Sequence, residues 1–190
     1  MKEYILLFLS VLFADNLLFE KMLGVDFALA IRKEKDITKL FFVATVASSC
    51  LSAVLAHILG TKGISPLMCV ALFPLMGVVY GFLFELITSK KETQKNHTFA
   101  VALAMNTALL GIAFACVTVT SLTSALVVGF SHGVGIILSA VIMMCLEEKI
   151  KYSNPPKFLG KTLLLLVSVA VVAMIFTAFD GFSLRYENIN

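Results

Sequence analysis

Few side chains in this 190-residue chain can do chemistry, and most of those interrupt apolar sequence. Asp15-Asn16 ends one apolar stretch and is soon followed by Leu23-Gly24; Asn106-Thr107 interrupts another and is followed by Leu110-Gly111. His132 stands in the middle of a third, while Glu85 and Asp180 sit near the ends of theirs, where a side chain can reach for water. An ionisable group deep in apolar surroundings is costly unless it binds something, so Asp15 and His132 read as functional. The plainer reading of Asn16 and Asn106 is a hydrogen bond between helices, a common use of Asn where lipid replaces water.

Other patterns carry less. Gly129-Phe130-Ser131-His132-Gly133 fits the G-x-S-x-G of a nucleophile elbow, but that elbow needs a strand-to-helix turn and this sequence lies inside an apolar helix. The order is also wrong for a six-span rhomboid-type protease, where the Ser precedes the His; here His57 comes first. The G-x-x-x-G spacing of Gly77 with Gly81 and of Gly129 with Gly133 instead suits close helix packing, and these glycines are expected to meet a partner subunit. Cys50, Cys69, Cys116 and Cys145 are isolated, with no C-x-x-C pair, and behave as small apolar residues. No phosphate-binding or dinucleotide fingerprint is present. No catalytic residue and no metal site is expected.

The elements that must position these residues follow from hydropathy. Hydrophobic residues make up 59% of the chain and charged residues 14%, with a mean hydropathy of +0.98. That excess cannot be hidden in one soluble core, which excludes a soluble enzyme, a secreted disulfide scaffold and a disordered chain. A net charge of +3 is too small to suggest nucleic-acid binding. Apolar blocks at 4–19, 40–59, 66–87, 98–117, 122–146 and 159–179 approach the ~20 residues a membrane helix needs, the first being short or interrupted. They lack the alternation of a membrane barrel, so helices carry the fold. The apolar amino terminus has no small-residue cleavage site after it and is expected to stay uncleaved. The intervening polar segments, 33–39, 89–97 and 147–157 with its Asn154-Pro155-Pro156 turn, are too short to fold alone, and residues 1–190 form a single transmembrane domain.

Positive charge orients the domain. Lys21, Arg32, Lys33, Lys35, Lys39, Lys90, Lys91, Lys95, Lys149, Lys151, Lys157 and Lys161 fall on one side; only Lys2, Lys62 and Arg185 fall on the other. Positive-inside bias therefore places both termini outside the cytoplasmic (inner) membrane. Asn96-His97-Thr98 falls on the cytoplasmic side with the twelve positive residues, so its fit to a glycosylation sequon is chance. Six spans divide into two halves of three, 1–88 and 97–180, and an odd number per half gives the halves opposite topology. The first span of each half carries a polar break near a Leu-Gly pair, the pattern that marks a midplane site in inverted repeats. The expected fold is an all-α membrane protein of six transmembrane helices in two inverted three-helix repeats.

Several motifs, taken in order, resemble the small membrane subunits of the Rnf and Na⁺-pumping Nqr redox complexes, above all the Rnf A-type subunit, over nearly the whole chain. Asn16-Leu17-Leu18-Phe19-Glu20-Lys21-Met22-Leu23-Gly24 is similar to that family's N-x-x-x-x-K-x-L-G stretch, and Asn106-Thr107-Ala108-Leu109-Leu110-Gly111 to its N-C-A-V-L-G stretch. Gly129-Phe130-Ser131 with Val134-Gly135, then Glu147-Glu148-Lys149, resembles the fifth helix and its exit; Pro156-Lys157-Phe158-Leu159-Gly160 resembles the start of the sixth. The resemblance implies a subunit that pairs with a homologous subunit of opposite orientation and holds a [2Fe–2S] cluster in the membrane, two Cys coming from each. At those two positions this chain has Asp26 and Thr107. Hard oxygen donors do not suit a cluster held by thiolates, so no iron ligand and no cofactor is expected from this chain.

Two readings of function follow. In the first the chain is a membrane subunit of an Rnf/Nqr-like ion-translocating oxidoreductase, supporting electron transport coupled to Na⁺ or H⁺ movement and working with other subunits of the complex. In the second it is a small ion or solute transporter of the same fold. Asp15, Asn16, Asp26, Asn106, Thr107 and His132 are the ion-path candidates in either. A scaffold that only shapes a partner is the plainest alternative.

Overall fold

The computed structural model describes residues 2–31, 39–63, 66–88, 93–153 and 160–179. All regular structure among them is helical: α1 (Lys2–Leu9), a π-helical turn (Ser10–Ala14), α2 (Val25–Ile31), α3 (Lys39–Thr61), α4 (Pro66–Thr88), α5 (Thr93–Ala104), α6 (Ala108–Val117), α7 (Leu122–Tyr152) and α8 (Lys161–Thr177). Among the described residues, three stretches are long and apolar enough to cross a membrane: Lys39–Thr61, His97–Val117 and Leu122–Tyr152. Shorter apolar helices run Leu72–Thr88 and Leu163–Thr177. The chain is a multi-pass membrane protein.

Its outer surface supports that conclusion. Leu75, Ile87 and Met174 are 63%, 73% and 72% exposed, and Phe82, Leu86 and Leu166 also point outward. A soluble protein rarely leaves so much contiguous apolar surface bare; lipid gives it a solvent.

Two aromatic groups tie the helices together inside. Phe27 of α2 stacks on Phe41 of α3 (5.4 Å), which stacks in turn on Phe99 of α5 (4.3 Å) and meets Phe84 of α4 edge-on (6.0 Å). Phe19 packs on Phe176 of α8 at 4.7 Å, and Phe13 stacks on Phe179 at 5.2 Å.

Small residues set the closest approaches. A Cβ on Gly129 would lie 2.6 Å from Ala53 Cβ, and one on Gly133 3.0 Å from Val46 Cα, so α7 lies directly against α3. A Cβ on Gly81 would lie 2.5 Å from the Ala100 carbonyl oxygen, and one on Gly77 2.8 Å from that of Ala104. This corrects the expected role of both glycine pairs. They are used within the chain, because only a bare Cα face lets these helices come so near.

The helix boundaries bring three more corrections, at α2, at the start of α5 and at the end of α7. The first apolar block is interrupted, as expected: helical structure ends at Ala14, and the chain is irregular until α2, which hydropathy did not reveal. The cause is local, since Asn16 Oδ1 accepts from the Leu18 and Phe19 amides and competes with helix continuation. Helix α5 begins at Thr93, inside the segment expected to be a loop, while the fourth block is broken at 105–107, where Asn106-Thr107 was expected to interrupt it. Helix α7 runs on through Tyr152, past the expected end at 146, with Ile150 buried and Lys151 paired to Glu147 at 3.9 Å one turn away. Ser121 caps its start by accepting from the Ser124 amide at 3.1 Å. Residues 32–38, 154–159 and Asp180 lie outside the described residues, and with them most of the Asn154–Gly160 motifs.

Candidate functional site

The two polar breaks meet. Helices α2 and α6 begin at them, so each N-terminus presents amides without intrahelical partners. Thr107, just before α6, donates its backbone N–H to Asp26 Oδ2 (3.2 Å) and its hydroxyl to Asp26 Oδ1 (2.8 Å). The same hydroxyl oxygen accepts the Gly24 amide, just before α2, at 2.9 Å. Each residue thereby satisfies a donor at the start of the other's helix, and a carboxylate sits where two positive helix ends converge.

The Leu-Gly pairs make this approach possible. Gly24 has φ +87°, a left-handed conformation that disfavours any side chain, and a Cβ there would lie 3.1 Å from Ala108 Cβ. A Cβ on Gly111 would lie 2.8 Å from Leu17 Cδ2 and from Leu23 Cδ1. Leu23-Gly24 is thus seated against Gly111 and Ala108.

The asparagines hold the breaks in shape. Asn16, 2% exposed, donates from Nδ2 to the Leu12 carbonyl (3.1 Å); its Oδ1 accepts from Leu18 (3.1 Å), Phe19 (3.3 Å) and the Ser139 hydroxyl of α7 (3.0 Å). Asn106 repeats the turn, its Oδ1 accepting from the Ala108 amide at 3.1 Å, but its buried Nδ2 has no partner.

A second cluster forms around Asp15, which closes the π-helical turn by donating its N–H to the Ser10 carbonyl at 3.0 Å. Its carboxylate pairs with Lys21, and its other oxygen lies 3.9 Å from His132 Nε2. The six candidate residues therefore fall into two groups. Asp26 and Thr107 touch, with Asn106 beside them; Asp15, Asn16 and His132 lie together against α7. Sequence reasoning missed Ser139 and gave Lys21 no role at the site. The available signal was the i, i+3, i+7 spacing of His132, Gly135 and Ser139, which puts all three on the face of α7 that receives the break.

The remaining sequence candidates have structural roles. His57 Nδ1 lies 2.9 Å from the Val119 carbonyl, and Ser131 donates to the Val127 carbonyl of its own helix at 2.7 Å, so no nucleophile–base pair exists between them. Glu85 lies 3.3 Å from His97, linking α4 to α5. Cys50, Cys116 and Cys145 are free thiols, one each on α3, α6 and α7.

The Asp26–Thr107 donor set does not fit a thiolate-held cluster. It offers a carboxylate and a hydroxyl already bonded to each other, and Cys116 lies nine residues along α6, about 13 Å up its axis.

No family model matches the chain. Curated relatives do, along its length. The A-type subunit of the ion-translocating oxidoreductase complex of Yersinia pestis (strain Pestoides F) is 26% identical over 190 residues, 95% of this chain and 98% of that protein. Its counterpart from Aliivibrio fischeri is 24% identical, and that from Yersinia pseudotuberculosis serotype O:1b 26%, over the same shares. The resemblance to the A-type subunit that the motifs carry is thus a similarity of the whole chain.

Proposed function

We propose that this chain is an integral membrane subunit of an ion-translocating electron transport complex, and that it supplies no iron ligand of its own. The chain-length similarity to A-type subunits supports the first part. The single observation that carries the second is the Asp26–Thr107 contact at 2.8 Å, which joins by oxygen chemistry the two positions where the family has thiols. The carboxylate does locally what an anionic cluster would do: it meets the positive ends of two half-helices. The mutual capping of α2 and α6 also supports two inverted three-helix repeats, with α1–α2 and α5–α6 as broken first spans and the capped pair near the membrane midplane. A homologous subunit of opposite orientation would face this pair across the membrane.

The test is anaerobic isolation of the complex with its native partners, followed by iron analysis and electron paramagnetic resonance. The chain is expected to copurify with other subunits, and the double substitution Asp26→Ala, Thr107→Ala to leave iron content unchanged. Stoichiometric loss of iron in that variant would overturn the ligand assignment. Isolation of the chain alone, with no redox partner, would favour a transporter of the same fold.

Orientation has its own measurement. Twelve of the fifteen Lys and Arg residues side together, so a carboxy-terminal alkaline phosphatase fusion is expected to be active and a green fluorescent protein fusion dark. The reverse result would refute outside termini.

A further inference from the structure

We propose that Asp15, Lys21 and His132 form a proton-exchange site in which the ammonium of Lys21 and a protonated His132 are alternative partners of one carboxylate. The ligand is a proton. His132 is 1% exposed, and its Nε2 has no hydrogen-bond partner. A buried ring nitrogen with nothing to bond is costly, and the carboxylate oxygen Asp15 Oδ2 stands 3.9 Å away, beyond hydrogen-bond range. Lys21 occupies the other carboxylate oxygen; its side chain is 43% exposed and that of Asp15 32% exposed. One side of the carboxylate is therefore exposed at the surface beside Lys21 and the other meets the buried ring.

Charge balance makes the two cations exclusive. The carboxylate and ammonium already neutralise each other, so an imidazolium added beside them would be a surplus cation in apolar surroundings. If Lys21 swings outward, a proton taken from water onto the ring makes both nitrogens donors, and Nε2–H can close the gap to a charge-assisted bond of about 2.8 Å. The proton comes from hydronium, which is left as water; the Lys21–Asp15 ion pair is given up, and no covalent bond other than N–H changes.

The groups that could interfere can be named. Helix α7 is packed by α1, the π-helical turn, α2, α3, α6 and α8. These carry Lys2, Glu3 and Tyr4 on α1, Asp26 on α2, Lys39, Cys50 and His57 on α3, Cys116 on α6 and Lys161 on α8. Among the described residues, the charged side chain within 4 Å of His132 is Asp15, and Lys21 reaches the ring only through that carboxylate. Nothing in this exchange requires a redox partner.

The test uses the full chain in lipid nanodiscs with isotope-labelled histidine. Its three His residues, His57, His97 and His132, are resolved by magnetic resonance and titrated between about pH 4 and pH 9. Lys21→Met is expected to raise the His132 midpoint by about 1–3 pH units, and adding Asp15→Asn to reverse the rise. An unchanged midpoint in Lys21→Met, or a rise that survives Asp15→Asn, overturns the proposal. So does a midpoint that falls when sodium replaces potassium at constant ionic strength, since the site would then take a metal cation. Lys21 is half-exposed, so its single variant keeps the test open if Asp15→Asn fails to fold.

Discussion

Asn16→Leu is expected to destabilise the folded chain by about 3–4 kcal/mol, while the matching Asn106→Leu costs only about 1–2 kcal/mol. The two asparagines look equivalent in sequence, each opening a break near a Leu-Gly pair. Their surroundings differ. Removing the Asn16 carboxamide strands the Leu18 and Phe19 amides and the Ser139 hydroxyl, all buried, and also releases the Leu12 carbonyl. Asn106 accepts from the Ala108 amide and already leaves its own Nδ2 without a partner, so less is lost there. In thermal unfolding of the detergent-solubilised protein, the first change should lower Tm by roughly 10 °C and the second by roughly 4 °C. Equal losses would mean that the Ser139 bond does not anchor the break to α7.

Gly81→Val is expected to cost about 3 kcal/mol or more and to show as loss of monodisperse protein on size-exclusion chromatography. The new Cβ would lie 2.5 Å from the Ala100 carbonyl oxygen and 2.9 Å from Ala104 Cβ, and backbone cannot yield as a side-chain tip does. Helix α4 must then move off α5, which also disturbs the contact of Phe84 with Phe41. Gly160→Ala is the control: nothing lies within 4 Å of a Cβ there, so the change should stay within about 1 kcal/mol. If both variants elute alike, the close approach of α4 and α5 is not what holds them together.

The helices differ in how plainly the sequence marks them. Helices α3, α4 and α8 lie within about two residues of their apolar blocks, because lipid demands long unbroken apolar helices. The break at Asn106-Thr107 was legible for the same reason, since a carboxamide and a hydroxyl stand out in such a block. Helix α2 was not. Its seven residues are too few for a periodic signal, and its first turn is capped by Thr107, 81 residues away from Asp26. The extension of α7 was hidden as well, because charged residues past 146 read as a loop although a pair one turn apart suits a helix.

Composition and motif order are enough to establish the membrane setting, the helical class and the likeness to A-type subunits. Such features survive without any knowledge of contacts. Which polar residues work together is settled by packing alone. Packing joins Asp26 to Thr107 and Asp15 to His132, seats Asn16 on Ser139, and turns both glycine pairs inward. The physical reason is that a buried polar group takes whichever partner packing brings within about 3 Å, and no local pattern records a partner from a distant helix.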